Sequence, residues 1–485
     1  MLTDLSVLSA PGYWLSRLVF ERGMALVYLV AFISAARQFR PLIGAAGMTP
    51  IPRTAARLSF RAAPSLFHWR YSDGLFATVS WTGAALAGAA LLGAADALPA
   101  GGHLAWWAVL WALYLSIVNV GGLWYGFGWE ILLLEAGFLT IFAGPAGVAP
   151  PLVVLWLLRW LLFRMEFGAG LIKLRGDPCW RDLSCLDHHH QTQPMPGPLS
   201  WFFHHLPRPL HRVECAANHV AQVIVPFALF APQPVAAAAA GIVIVTQVWL
   251  VLSGNFAWLN VLTIVIALPV LGDGVWRHVL PVHRPAAPDA PTWFVILGVA
   301  VAAGLLALSF RPARNLLSRR QLMNASFDGL HLVNTYGAFG SVSRRRFEVV
   351  VEGTTDAEPD GSTRWREYEF HGKPTGLRRW PRQFAPYHLR LDWAMWFAAL
   401  SRDYARPWFG GFLRRLLDAD PATLRLLRTD PFDGAPPACV RASLYEYRYT
   451  SWRELRRDHA CWTRTRLGVY WPLTRRDPSG TAGYR

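Results

Sequence analysis

Residues 164–201, RMEFGAGLIKLRGDPCWRDLSCLDHHHQTQPMPGPLSW, decide how the rest of the chain is read. The stretch lies between apolar runs long enough to cross a bilayer. It nevertheless holds charged residues, two of the five cysteines, the histidines 188–190 and a glycine-spaced approach to Lys173. Lys173 is one of two lysines, the other being Lys373, against 45 arginines. Arginine stays protonated under any protein condition, whereas a desolvated lysine can lose its proton and act as a base. The plainer reading is a lysine whose stem lies along apolar surface at a helix end.

Working outward, the composition frames this stretch as an insert in a membrane protein. Of 485 residues 53% are hydrophobic, 24 are tryptophan and only 16% are charged, against about 25% charged in a soluble average. The net charge is +16, and residues 311–485 contribute +12 of it. No base-stacking platform or recognition-helix pattern accompanies that basic tail, which argues against nucleic acid. An anionic lipid surface or an acidic partner fits better. Cys179 and Cys185 are near enough in sequence to bridge, and Cys439 and Cys461 are a second candidate pair once folded. C-x5-C beside His188, His189 and His190 lacks the spacing and second half of a zinc site, so no metal is assigned and the histidines read as an exposed polar loop.

Nine apolar segments are expected to span: Leu18–Ala36, Leu75–Ala95, His103–Val120, Trp129–Phe142, Pro151–Phe163, Ala216–Phe230, Val235–Leu252, Phe256–Leu271 and Pro291–Phe310. Several are short for a ~30 Å hydrocarbon core. No cleavable leader is apparent, so the first segment is expected to serve as an uncleaved signal. Residues 37–74 mix Arg, Pro and aromatics and read as interfacial. After Arg311 the pattern changes. RRRFEVVVEGTTD, RWREYEFHGKP and CVRASLYEYRYTSW alternate like strands, while LRLDWAMWFAAL and GFLRRLLDADPATLRLLRTDPF read as amphipathic helices. The expected fold is a polytopic α-helical membrane bundle over 1–310, with a polar motif loop at 164–215. A small α+β domain with a mostly antiparallel sheet follows over 311–485.

GAGLIKLRGDPCWRDLSCLDHHHQTQPMPGPLSWFFHHLP resembles the signature of the lipase maturation factors, multi-spanning membrane proteins of the secretory pathway. The likeness continues in LSGNFAWLNVLTI, VNTYGAFGSVSRRRFEVVVEGT, WREYEFHGKP, RLDWAMWFAAL and DPFDGAPPACVRASLYEYRYT. The resemblance implies a factor that helps secreted, dimeric lipases reach their active fold, without a cofactor. Its C-terminal domain would face away from the cytoplasm and carry the client contact. The Arg-, Ala- and Gly-heavy composition suggests a bacterial gene, which places such a factor in the inner membrane rather than the endoplasmic reticulum. Gly170, Lys173, Leu174, Trp180, Arg181 and Asp182 are also similar to the segment holding the active base of vitamin K-dependent carboxylases. That second likeness implies a membrane enzyme using Lys173 as base on a lipid-soluble or peptide substrate.

The candidate residues follow from these readings. Glu130, Glu135 and Glu166 lie in apolar surroundings, either as partners tuning Lys173 or as acids neutralising Arg159, Arg164 or Lys173 and fixing helix packing. Asp177-Pro178 opens a turn, and Gly170, Arg175, Asp177, Cys179, Trp180, Arg181, Asp182 and Cys185 form the motif that would clamp a head group or peptide. Trp180 and Trp201 read as interfacial anchors. In the tail, Asn334, Tyr336, Gly340, Arg344, Trp393 and Trp396 are the candidate client contacts, with core packing the simpler account of the two tryptophans. No Ser/His/Asp order or nucleophile elbow marks the chain as a lipase itself. An odd span count puts the tail opposite a cytoplasmic N-terminus, yet it puts the six arginines of 37–74 outside as well, against the positive-inside tendency.

Overall fold

The structure is a computed structural model that describes residues 5–280 and 288–476. The ends of both expected domains, 1–4 and 477–485, lie outside the described residues. Among the described residues five helices are long and apolar enough to cross a membrane: Pro11–Ile43, Asp73–Leu91, Ala100–Val120, Val235–Ser253 and Thr292–Leu317. The last two turn Val245, Trp249, Ile296 and Leu306 outward, which suits a lipid-facing surface because apolar exposure on that scale is disfavoured in water.

The other expected spans differ for identifiable reasons. Gly128–Thr140 has 13 residues, about 20 Å of helix and short of a ~30 Å core. It is buried on nearly every side, Glu130 and Glu135 included, as a mostly apolar helix is when it forms the middle of a bundle. Leu259–Ala267 is shorter still, with 9 residues. Leu152–Arg175 has the length, at 24 residues, but carries Arg159, Arg164, Glu166 and Lys173 with their heads buried. Arg208–His219 runs on through a π-turn at Val220–Ile224 into Val225–Ala228.

The two ends of the bundle are tied differently. At one end the backbone amides of Trp14 and Leu15 donate to Asp273 (3.1 and 2.9 Å), and Arg17 donates to the Val148 carbonyl (2.8 Å). At the other, Gln38 donates to the His388 carbonyl of the tail (2.7 Å).

The tail contains a small antiparallel ribbon, β1 (Ala325–Ser326) with β2 (Asn334–Thr335), and a four-stranded antiparallel sheet. The sheet strands are β3 (Arg346–Thr354), β4 (Arg366–Glu367), β5 (Cys439–Tyr449) and β6 (Trp462–Arg475), in the order β4-β3-β5-β6. The alternating segments expected as strands became β3, β4 and β5. The expected helices are Arg390–Leu400 and Phe409–Leu417, with a restart at Pro421 capped by the Asp420 carboxylate on the Thr423 amide. β6 was not expected. It reads TRTRLGVYWPLTR, with Gly468 and Pro472 inside it, and such residues are tolerated on an edge strand.

Apolar packing does not stop at residue 310. A single contiguous set of buried side chains runs from the bundle into the tail. Trp124 meets Trp408 at 5.3 Å between ring centroids, and Trp129 meets Trp393 at 4.8 Å.

Candidate functional site

The central motif is helical for its first third. Leu152–Arg175 is one helix, so 164–175 is not the loop expected from its charges. Two glycines allow this path. A Cβ at Gly170 would lie 2.7 Å from Val223 and 3.1 Å from Gln222 of the π-turn, and one at Gly168 would lie 2.5 Å from the Tyr336 carbonyl. The helix stops at Gly176, where the Asp177 amide turns to the Gly340 carbonyl (2.8 Å). The Asp177 carboxylate accepts from the Cys179 amide (3.1 Å) and from Arg344 (2.9 Å). Burial pushes that carboxyl up, but these bonds outweigh it and hold Asp177 below the usual carboxylate range. Arg175 donates to Gln321, Arg181 to the Leu174 carbonyl, and Asp182 accepts from Ser184. None of these three makes a cluster aimed at a single ligand.

Cys179 and Cys185 form a disulfide, while Cys215, Cys439 and Cys461 are free and buried. The Cys439/Cys461 pairing is therefore corrected, since each thiol points to a backbone carbonyl, of Ala357 and Arg379 respectively. Alkylating the denatured, unreduced chain is expected to modify three cysteines, and all five after reduction, read by intact mass. Replacing both bridged cysteines by serine is expected to remove about 2 kcal/mol, the entropy of closing so short a loop.

Lys173 is buried, and no carboxylate among the described residues pairs with it. Its ammonium donates to Asn218 Oδ1 (2.8 Å) and Gln222 Oε1 (2.7 Å) and lies 4.9 Å from the Trp180 ring centroid. Gln222 relays to Glu166 (3.0 Å), which also accepts from Gln247 (2.7 Å), whose oxygen accepts from Asn260 (2.7 Å). Glu166 thus reaches Lys173 through an amide rather than by direct pairing. Gln222, Gln247, Asn218 and Asn260 were missed in the sequence. The available signal was their type: side-chain amides are costly in apolar spans unless they meet a polar partner.

Glu130 and Glu135 partner the tail instead of Lys173. Glu135 is ion-paired with Arg164 and accepts from the Asn334 amide (2.9 Å), Asn334 Nδ2 (3.0 Å) and the Tyr336 hydroxyl (2.7 Å). Arg164 also donates to the Asn334 carbonyl (2.6 Å). Glu130 accepts from Arg390 (2.8 Å) and from the Tyr114 hydroxyl, with His388 Nδ1 at 3.5 Å. The Arg390 guanidinium lies 3.6 Å over the Tyr125 ring. A third joint is made by Arg346, which pairs with Glu348 (2.6 Å) and donates to the carbonyls of Gln191 and Pro194 in the motif. Lys373 completes it, 2.9 Å from Glu348.

Comparison with known sequences bears on these joints. Residues 15–278 match the lipase maturation factor transmembrane domain, and residues 332–472 match the lipase maturation factor C-terminal domain. The chain belongs to the lipase maturation factor family. It is 39% identical to Lipase maturation factor 1 of Bos taurus, over 98% of this chain and 91% of that protein. It is 39% identical to Lipase maturation factor 1 of Homo sapiens, over 95% and 88%. With Lipase maturation factor 2 of Gallus gallus it shares 29%, over 92% and 79%. No solved structure matches the chain. Glu130, Glu135, Arg164 and Lys173 fall within the family's transmembrane domain. Asn334, Tyr336, Arg346 and Arg390 fall within its C-terminal domain, so the joints link the two parts that define the family.

That linkage bears on the client contacts expected in the tail. Asn334, Tyr336 and Trp393 are buried. The first two hold Glu135, and Trp393 packs on Phe127 and Trp129 of the bundle. Trp396 donates to the Thr192 carbonyl (3.2 Å), and Gly340 closes against Gly176. Arg344 alone is substantially exposed, and it holds Asp177. The histidine run is corrected too, being part of the helix Leu186–Thr192 with His189 and His190 buried. Trp180 and Trp201 are likewise interior, donating to the carbonyls of Phe339 (2.7 Å) and Thr450 (3.1 Å), so they anchor the motif to the tail rather than to an interface.

His388 makes the joint pH-sensitive. Burial, with Arg390 beside it, pushes its pKa down to about 4 against the opposing pull of Glu130. The unfolded chain would bind a proton near the ordinary histidine value, about 6.5. Stability is therefore present above that value and lost as pH falls from about 6.5 towards about 4, by up to about 1.4 kcal/mol per unit. Thermal unfolding across this range is expected to show that slope, and His388→Asn to flatten it.

Proposed function

We propose that this chain is a multi-pass membrane factor that assists the maturation of secreted lipases. Its C-terminal domain and central motif would form one body on the non-cytoplasmic face. The observation carrying this reading is the near-full-length relationship to proteins named for lipase maturation, spanning both parts that Glu130 and Glu135 join. The finer topology is proposed with it: nine helical passes, four of them short, interrupted or charged, with the N-terminus cytoplasmic. In a bacterium the tail would lie in the periplasm. The opposed ties at Asp273 and at Gln38–His388 support an odd number of passes.

The division at residue 310 is proposed as a boundary of chain, not of folding. Lys173 is proposed as a structural cation, since two amide oxygens and an indole ring hold it. The carboxylase-like reading is not favoured by the near-full-length relationship to lipase maturation factors.

The test is co-expression with a dimeric secreted lipase. With the intact chain, lipase activity per mass of secreted enzyme is expected to rise while secreted mass stays similar. Equal specific activity with and without the chain would contradict the proposal. Lys173→Met is expected to keep at least half of the effect if the variant accumulates normally. Complete loss in a folded, inserted Lys173→Met protein would favour chemistry at that position.

A further inference from the structure

Arg159 stands apart from the other buried cations of the bundle. It lies 14 residues before Lys173 on the same helix, about 21 Å from it, at the end away from the tail. Its residue surface is 7% exposed. Its guanidinium donates to the Leu229 carbonyl (3.2 Å) and the Tyr13 hydroxyl oxygen (3.3 Å), and no carboxylate among the described residues pairs with it. It stacks over Trp156 at 4.8 Å. An arginine withdrawn from water without an anion is costly, and in membrane bundles such charges are ordinarily paired.

Beside it lies a cavity of about 230 Å³ lined by Tyr13, Trp156, Arg159, Phe230 and Gln233, with Leu152 and Leu155 at its wall. The Tyr13 oxygen accepts from both Arg159 and Gln233 Nε2 (3.2 Å). Its own hydrogen has no acceptor among the described residues. The remaining N–H groups of the Arg159 guanidinium and the Tyr13 phenol O–H therefore border one space. The pocket holds several water volumes, at ~30 Å³ each. From the cavity wall Phe230 meets Phe163 at 5.5 Å and Phe163 meets Phe227 at 5.1 Å, so the exposed apolar surface of Phe227, with Ile224 one turn before it and the Trp156 edge, continues from the cavity.

We propose that this cavity binds the phosphate group of an anionic phospholipid. The guanidinium fork matches phosphate oxygens bidentately, the Tyr13 hydroxyl donates a further bond, and the acyl chains lie along Ile224, Phe227 and Trp156. Basic pockets between spanning helices are suited to such head groups. The apolar flank favours a lipid phosphate over a free one, which has no use for it.

The test is native mass spectrometry of the full chain in detergent, titrated separately with phosphatidylglycerol, phosphatidylcholine and inorganic phosphate. Phosphatidylglycerol is expected to be retained over phosphatidylcholine by about tenfold, corresponding to ~1.4 kcal/mol. Arg159→Gln should abolish that preference and Tyr13→Phe should reduce it several-fold. Unchanged preference in either folded variant overturns the proposal. So does inorganic phosphate that displaces phosphatidylglycerol at equal concentration, since the site would then serve the free anion. Should Arg159→Gln fail to fold, Tyr13→Phe alone decides.

Discussion

Glu135→Leu is expected to destabilise the folded chain by on the order of 3–5 kcal/mol, the penalty for leaving a buried partner uncompensated. The reason is the number of donors converging on one carboxylate. Arg164, the Asn334 backbone and side chain, and the Tyr336 hydroxyl all donate to it, and all are buried. Leucine fills similar space but leaves the Arg164 guanidinium without its counter-charge, although it keeps the Asn334 carbonyl, and leaves the Asn334 backbone amide and the Tyr336 hydroxyl without an acceptor, each costing about 1–3 kcal/mol if water does not enter. The effect should be visible as release of the tail. Limited proteolysis is expected to cut near residues 311–333 in the variant under conditions that leave the parent chain intact. An uncut variant with unchanged thermal midpoint would show that the carboxylate is not what joins bundle and tail.

The second large effect is at the Glu130–Arg390 pair. Arg390→Met removes the cation that pairs with Glu130 at 2.8 Å, leaving a carboxylate facing Tyr114 and His388 in the interior. A loss on the order of 3–5 kcal/mol is expected for the single change. The double variant Glu130→Leu/Arg390→Met should recover much of it, because replacing a buried pair by apolar groups of similar volume is often neutral. Measured as a double-mutant cycle, the two single losses are thus expected to exceed the double loss. Simple additivity would mean that the two side chains act independently, and the joint would lose its physical basis.

How much of this was legible beforehand depends on the kind of signal. Apolar runs marked most of the helices, and period-two alternation marked β3 and β5, because both depend on near neighbours in sequence. The Asp420-Pro421 restart was legible for the same reason. Lys173 and the glutamates were picked out as unusual, and Arg164 was named among the charges they neutralise, as Glu135 does, yet their partners in the tail were not foreseen. Glu135 meets Asn334, 199 positions away, and no local pattern encodes such a pairing. The exposed reading of His189 and His190 and the interfacial reading of Trp201 failed because the tail folds back over the motif, through contacts such as Trp201 to Thr450. Local polarity pointed outward where tertiary packing supplied an interior. β6 was missed because its interior alternates Thr and Arg rather than apolar residues, as an edge with one wet face permits.

The central claim is that motif and tail form one body on the non-cytoplasmic face of the membrane. The direct measurement is labelling with a membrane-impermeant maleimide in sealed vesicles of known orientation. Single cysteines would be introduced at exposed Val469 of β6 and exposed Arg208 beyond the motif, with the free thiols buried. Both sites should be labelled together, and only when the non-cytoplasmic face is outward. Labelling of either site from the cytoplasmic face alone, or of the two sites from opposite faces, would contradict the account.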